Sequence, residues 1–289
     1  TIGSLDIGHG AGTGGTADVN STAVGKDALD GSLNTSIRNT AIGSGAMTAT
    51  MTAAGDYNVA VGSYAGGGIT AGSHNVAVGD NAFGACDDGV SNVAVGQAAL
   101  AAQCEDNNTA VGKLALTAST GSEMTAVGSG AADGMTNATD VVAVGFNAAG
   151  DGNHSGTTAV GHSALATNCG NDNTAIGRDA LTAFGGGDAT AVGSGAGKSL
   201  TSGAANTAVG YNALDATDDG ARNTALGSVA LSANCADDNT ALGYAALNVF
   251  TGSDATAVGS GALDASVSDV AVTAVGQNAL GVCNGGDYN

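Results

Sequence analysis

Hydrophobic and polar positions along this chain recur on a beat of 16–19 residues. Each beat carries a form of Asn-Thr-Ala-Val-Gly-x-x-Ala-Leu, as in Asn108-Thr-Ala-Val-Gly-Lys-Leu-Ala-Leu116. The Gly that follows Val, Ile or Leu marks the beat: Gly8, Gly25, Gly43, Gly62, Gly79, Gly96, Gly112, Gly128, Gly145, Gly161, Gly177, Gly193, Gly210, Gly227, Gly243, Gly259 and Gly276. So short and regular a period predicts an all-β parallel solenoid of about 17 rungs, each rung covering its neighbours. One repeat domain is expected over 1–289: an atypical first rung at 1–20, regular rungs at 21–280 and an incomplete terminal rung at 281–289.

Alternation in Val59-Ala60-Val61-Gly62 predicts a short strand with both valines toward the core and Ala60 on the opposite face. The site two before the marker is Ala in every copy after the first, including Ala60, Ala110, Ala175 and Ala241. An unvarying methyl predicts a face pressed against something close. The marker itself (Gly62, Gly112, Gly177, Gly243) fits a corner that turns with positive φ. A second Ala three residues later, usually followed by Leu, predicts a second strand, with the variable remainder as an outer loop. Asn four before the marker (Asn108, Asn173, Asn239) suits either a ladder running along the stack or a turn cap at each corner. So few apolar groups per rung stand against the entropy of ordering 16–17 residues. Association through the alanine face, most simply as a parallel homotrimer, is therefore expected.

Composition sharpens this picture. Gly 50 with Pro 0 fits stacked corners whose amides all join a ladder, and Trp 0 argues against a broad globular core. Lys plus Arg 6 against Asp plus Glu 26 gives −20, which disfavours nucleic acid, whose binding needs clustered cations. That charge keeps a rod soluble and hints at a salty or divalent-rich medium outside a cell. No run of eighteen apolar residues predicts a membrane span. A start at Thr1 suggests a processed product or a piece of something longer. Bare rungs at the ends would be covered by flanking domains or by end-to-end stacking into an extracellular filament.

From Gln97 onward, four rungs form a unit of about 66 residues: 162–177 and 228–243 are identical at nine of sixteen positions. That is the mark of tandem duplication. Cys104, Cys169 and Cys235 share one repeat position, eight after the marker, as small loop residues copied by that duplication. Cys86 and Cys104 lie in adjacent rungs at nearly equal offsets, so the spacing permits a bridge between them and leaves it open. Acidic pairs in the outer loops make Asp87, Asp88, Asp218, Asp219, Asp237 and Asp238 the candidates for Ca²⁺, though no EF-hand or Gly-Gly-x-Gly-x-Asp loop accompanies them. Solvated loop charge is the plainer reading. His9, His74, His154 and His162 lack ligand-spaced partners and read as surface residues. Phe146, Phe184, Phe250, Tyr211 and Tyr244 lie at or beside rung ends, as packing under loops or as contacts to a receptor or glycan.

No nucleophile–base pairing stands out, so no enzyme, catalytic residue or cofactor is expected. Acyltransferase β-helices need three hexapeptides per coil, and here there is one. An ice-binding face would want Thr-x-Thr pairs, whereas here Thr alternates, through Ala, with Val assigned to the core. The Asn-Thr-Ala-Val/Ile-Gly-x-x-Ala-Leu repeat resembles the head repeats of YadA-type trimeric autotransporter adhesins and the β-roll repeats of phage tail fibres. That resemblance implies a left-handed parallel β-roll, three chains side by side, displayed extracellularly, on a cell surface or on a virion. The implied role is non-enzymatic: a rigid shaft and attachment surface for a receptor or glycan. The rung here is longer than the family's usual repeat.

Overall fold

The computed structural model describes residues 20–31, 38–51, 55–167, 169–265 and 271–281, and the backbone of 7–9. The remaining residues, including Leu5, Ala11 and most of the terminal rung, lie outside the described ones. The chain divides into two compact units, residues 1–144 and 145–289.

In the first unit, β2 (Thr22–Val24), β3 (Thr40–Ile42), β4 (Val59–Val61), β5 (Val76–Val78), β6 (Val93–Val95), β7 (Thr109–Val111), β8 (Thr125–Val127) and β9 (Val142–Val144) form one parallel ladder. Register is strict: Ala41 pairs with Ala60, Ala60 with Ala77 and Ala77 with Ala94. A further strand, β1 (Ile7–His9), pairs antiparallel with β2, Gly8 opposite Ala23. Gly8 is thus mid-strand rather than a corner. The first copy carries Asp6 where every later copy carries Ala, and a carboxylate is a poor substitute for an interior methyl.

The second unit repeats the parallel ladder with β10 (Thr158–Val160), β11 (Thr174–Ile176), β12 (Thr190–Val192), β13 (Thr207–Val209), β14 (Thr224–Leu226), β15 (Thr240–Leu242), β16 (Thr256–Val258) and β17 (Thr273–Val275). Each unit is a parallel β-solenoid with one three-residue strand per rung. No helix occurs among the described residues.

The interior reverses the sequence expectation. The alanine between the two β-branched residues is the buried one: Ala60, Ala110, Ala175 and Ala241 have no exposed surface. Its Thr and Val neighbours face outward, half-buried or exposed. Volume explains the inversion. A rung this short has a narrow cross-section: a Cβ placed on Gly66 would stand 3.3 Å from the Cβ of Ala60 and as close to Met47. Only a methyl fits there, so the alanine face is the chain's own core and is not open to sister copies.

The expected second strand is also absent. After each corner the chain makes a turn instead, with left-handed backbone two and four residues past the marker, as at Asn212 (φ +49°) and Leu214 (φ +56°). This folds the second Ala and its Leu inward; Ala213 and Leu214 are fully buried. The corner itself needs Gly. Gly177 has φ +138°, and a Cβ there would fall on the carbonyl of Gly193 in the next rung.

A third interior column comes from what looked like outer loop. Seven or eight residues past the marker stand Ile69, Cys86, Cys104, Met135, Phe184, Leu200 and Phe250, all buried. The cysteines of this column are core residues, and burial pushes the Cys169 thiol up to about 11. Cys86 and Cys104 are joined by a disulfide that staples adjacent rungs, with Cα atoms 5.2 Å apart. His154 belongs to the same interior column and is fully buried, not a surface residue.

The asparagines are buried too. Asn58 Oδ1 accepts the backbone N–H of Asn75 at 2.9 Å, and Asn58 Nδ2 donates to the Gly72 carbonyl at 2.8 Å. Asn206 does the same to Asn223 N and Gly220 O, at 2.8 Å each. Side-chain amides therefore clasp the backbone of the next rung rather than one another. Asn206 and Asn239 also donate to the carbonyl three residues earlier in their own rungs, at 2.7 and 3.1 Å. There the ladder and the turn cap are one device.

Candidate interaction surface

Because Ala turns in, each strand sends two side chains out, one from each end. Across β2–β17 the first is Thr or Val and the second Val, Ile or Leu, with no charged or amide side chain at any of these sites. Exposed strand positions ordinarily drift to polar residues, so this uniformity in a chain of −20 is the feature that needs a function. Ile42, Val127, Ile176, Leu226 and Leu242 are all at least 38% exposed.

The two units differ in what they show. In the first, β4, β5 and β6 turn six valines outward in succession, Val59 exposed and Val61, Val76, Val78, Val93 and Val95 half-buried. In the second, the first outward site is Thr in all eight strands, paired Thr to Thr along the ladder. The residue after the corner extends this face: Tyr211 is 58% and Tyr244 63% exposed. Phe146 is exposed as well and stacks on His162 with ring centroids 5.2 Å apart. Of the five ring residues at rung ends, Phe184 and Phe250 pack inside while these three stand in solvent. In the first unit Arg38 lies over the Tyr57 ring, which stacks on His74 at 4.9 Å.

The acidic loop residues are largely engaged elsewhere. Arg222 Nε donates to Asp238 Oδ1 at 2.7 Å and its Nη2 to Asp237 Oδ2 at 2.8 Å. That guanidinium holds the Asp238 carboxyl below the usual carboxylate range. Asp87 is likewise lowered, first by the hydrogen bond from Gln103 Nε2, which also reaches Asp88 at 3.3 Å. The Asp218 carbonyl accepts from Thr201 Oγ1 at 2.7 Å. An open groove of about 410 Å³ is lined by Asp88, Glu105, Asp106, Asn107 and Glu123. It gathers four carboxylates, with the Ser122 hydroxyl among its other lining groups. Among the described residues no three His, Cys, Asp or Glu side chains cluster as a metal site.

The sequence singled out the glycine corners, the alanines and the asparagines, and all of these prove to be internal scaffolding. It assigned the outward Thr and Val columns to the core. The signal that could have placed them was the alanine itself, whose constancy reports a space too narrow for valine. No helix among the described residues is long and apolar enough to cross a membrane. No family model, curated protein or solved structure matches the chain.

Proposed function

We propose that this chain is a non-enzymatic display segment working outside a cell or on a virion, holding a repetitive attachment surface on a stiff stack. One observation carries the reading: in each unit eight strands in register present an uncharged outward pair, Thr or Val with Val, Ile or Leu, in a strongly acidic chain. A scaffold this invariant serves contact along its length rather than chemistry at one point. The Cys86–Cys104 bridge suits an oxidising compartment. The −20 charge keeps such a segment soluble. An antibody raised to the folded chain is expected to label intact source cells or purified virions, and labelling only after permeabilisation rejects the placement.

Self-association, most simply as the trimer and left-handed roll of the repeats it resembles, belongs to the same proposal with its surface moved. The alanines are inside, so sister copies would meet through a wider face centred on the outward valines of β4–β6, which carry no hydroxyl to strand. Sedimentation equilibrium at micromolar concentration is expected to give a trimer that Val76→Lys with Val78→Lys converts to a folded monomer. A wild-type monomer ends this part of the proposal and leaves the display reading standing.

A further inference from the structure

We propose that the outward strip of the second unit binds ice, its eight threonines and eight aliphatic side chains meeting a lattice of ordered water. The sequence objection was that an ice-binding face would want Thr-x-Thr pairs, whereas here Thr alternates with Val assigned to the core. The structure changes half of it: the second site stays Val, Ile or Leu, but both residues face out along β10–β17, so each Thr has an outward aliphatic companion.

Three observations select this occupant. First, the hydroxyls are unspent. Loop threonines bond backbone carbonyls, as Thr182 does Ser163 O at 3.2 Å and Thr201 does Asp218 O at 2.7 Å. The strand threonines of this unit make no side-chain hydrogen bond among the described residues. An apolar protein partner would strand that whole column, whereas frozen water supplies each hydroxyl with an oxygen and seats each methyl in a hollow. Second, the strip is long and narrow. Seven rung spacings of about 4.8 Å and a two-residue width of about 7 Å enclose on the order of 240 Å². A stable protein interface needs roughly 800 Å² a side. So slender a strip suits a solid that repeats each weak contact at every rung, and the strand spacing lies close to the oxygen repeat in the basal plane of hexagonal ice. Third, no charge stands on the strip although the chain carries −20, so no ionic partner is complemented.

The spacing is also fixed before contact. Strands pair Thr to Thr without a slip, and the buried Asn206 and Asn223 amides clasp the following rungs. The ordering cost of a regular array is therefore met in folding, not in binding.

The test is nanolitre osmometry on the full-length chain, with ice recrystallisation as a second readout. Thermal hysteresis and faceted crystals are expected. Thr207→Lys with Thr224→Lys should cut the hysteresis at least tenfold with unchanged circular dichroism and melting temperature. Val76→Lys with Val78→Lys, on the first unit, should leave it intact, which separates ice binding from self-association. Round, unshaped crystals with the wild-type chain, or full activity in the threonine variant, overturn the proposal. Retention on crystalline cellulose or chitin without ice shaping, abolished by the threonine variant, overturns it in favour of a glycan. Neither result touches the surface-labelling test of the display reading.

Discussion

Val229 stands two residues past its corner with φ +52°, a left-handed conformation that a β-branched side chain resists. Asn147, Asn212 and Asn278 fill the same place with a residue that tolerates it. Val229→Asn is expected to stabilise the chain by about 1 kcal/mol, read as a rise in the urea midpoint. His154 poses the opposite problem. Both ring nitrogens are buried without a hydrogen-bond partner, and burial is the chief cause that lowers its pKa from 6.5 to about 4. The folded chain thus prefers neutral imidazole. The stability tied to His154 is present above pH 6.5 and is lost as pH falls from 6.5 toward 4, by up to about 3 kcal/mol. Carboxylates titrate over part of that range, so the measurement is a difference. His154→Leu, which puts an apolar side chain in this interior place, should show a shallower fall of stability across pH 6.5–4 than the wild type. Parallel pH profiles of the two proteins would refute the assignment.

At the level of the rung, stability rests on pairs of backbone contacts completed by one amide. Asn223 Nδ2 donates to Ala236 O, and its Oδ1 accepts from Asn239 N, each at 2.9 Å. Asn223→Ala would leave the buried Asn239 N–H unpaired, while the Ala236 carbonyl keeps its bond from Asn239 Nδ2, at a cost of about 1–3 kcal/mol. Hydrogen exchange should quicken around β14 and β15 far more than around β10, since a solenoid couples nearest neighbours. The rung also shows why the sequence misled. Val-Ala-Val alternation fixes that two faces exist but is symmetric about which is inside, and only the volume of a 16-residue loop decides it. The turn was equally concealed. Leu214, Leu231 and Leu247 in left-handed backbone look like any apolar residue, and the hint lay in the rungs where Gly66 and Gly197 stand at that place.

Over the whole chain, what was legible was the period. Parallel order, strict register, corner glycines and the asparagine ladder all follow from one motif recurring at fixed spacing. What was illegible depended on single departures: Asp6 in the first copy, His154 in an interior column, and Cys86 meeting Cys104. Duplication supplies a direct check. Removing residues 162–227, one 66-residue unit, joins Gly161 to Ser228 and restores a regular junction. The shortened chain is expected to fold with the same circular dichroism per residue and to melt within a few degrees of the parent. Loss of cooperative melting would show that distant rungs depend on one another.

The clasp from each buried amide to the next shelf has a hereditary corollary. No rung consults any but its two neighbours, so the reading frame of the architecture is indifferent to total count. Replication slippage or unequal crossing-over between near-identical stretches would yield alleles that differ by whole shelves, never by fractions of one. Length, for this molecule, is a quantity the genome can dial.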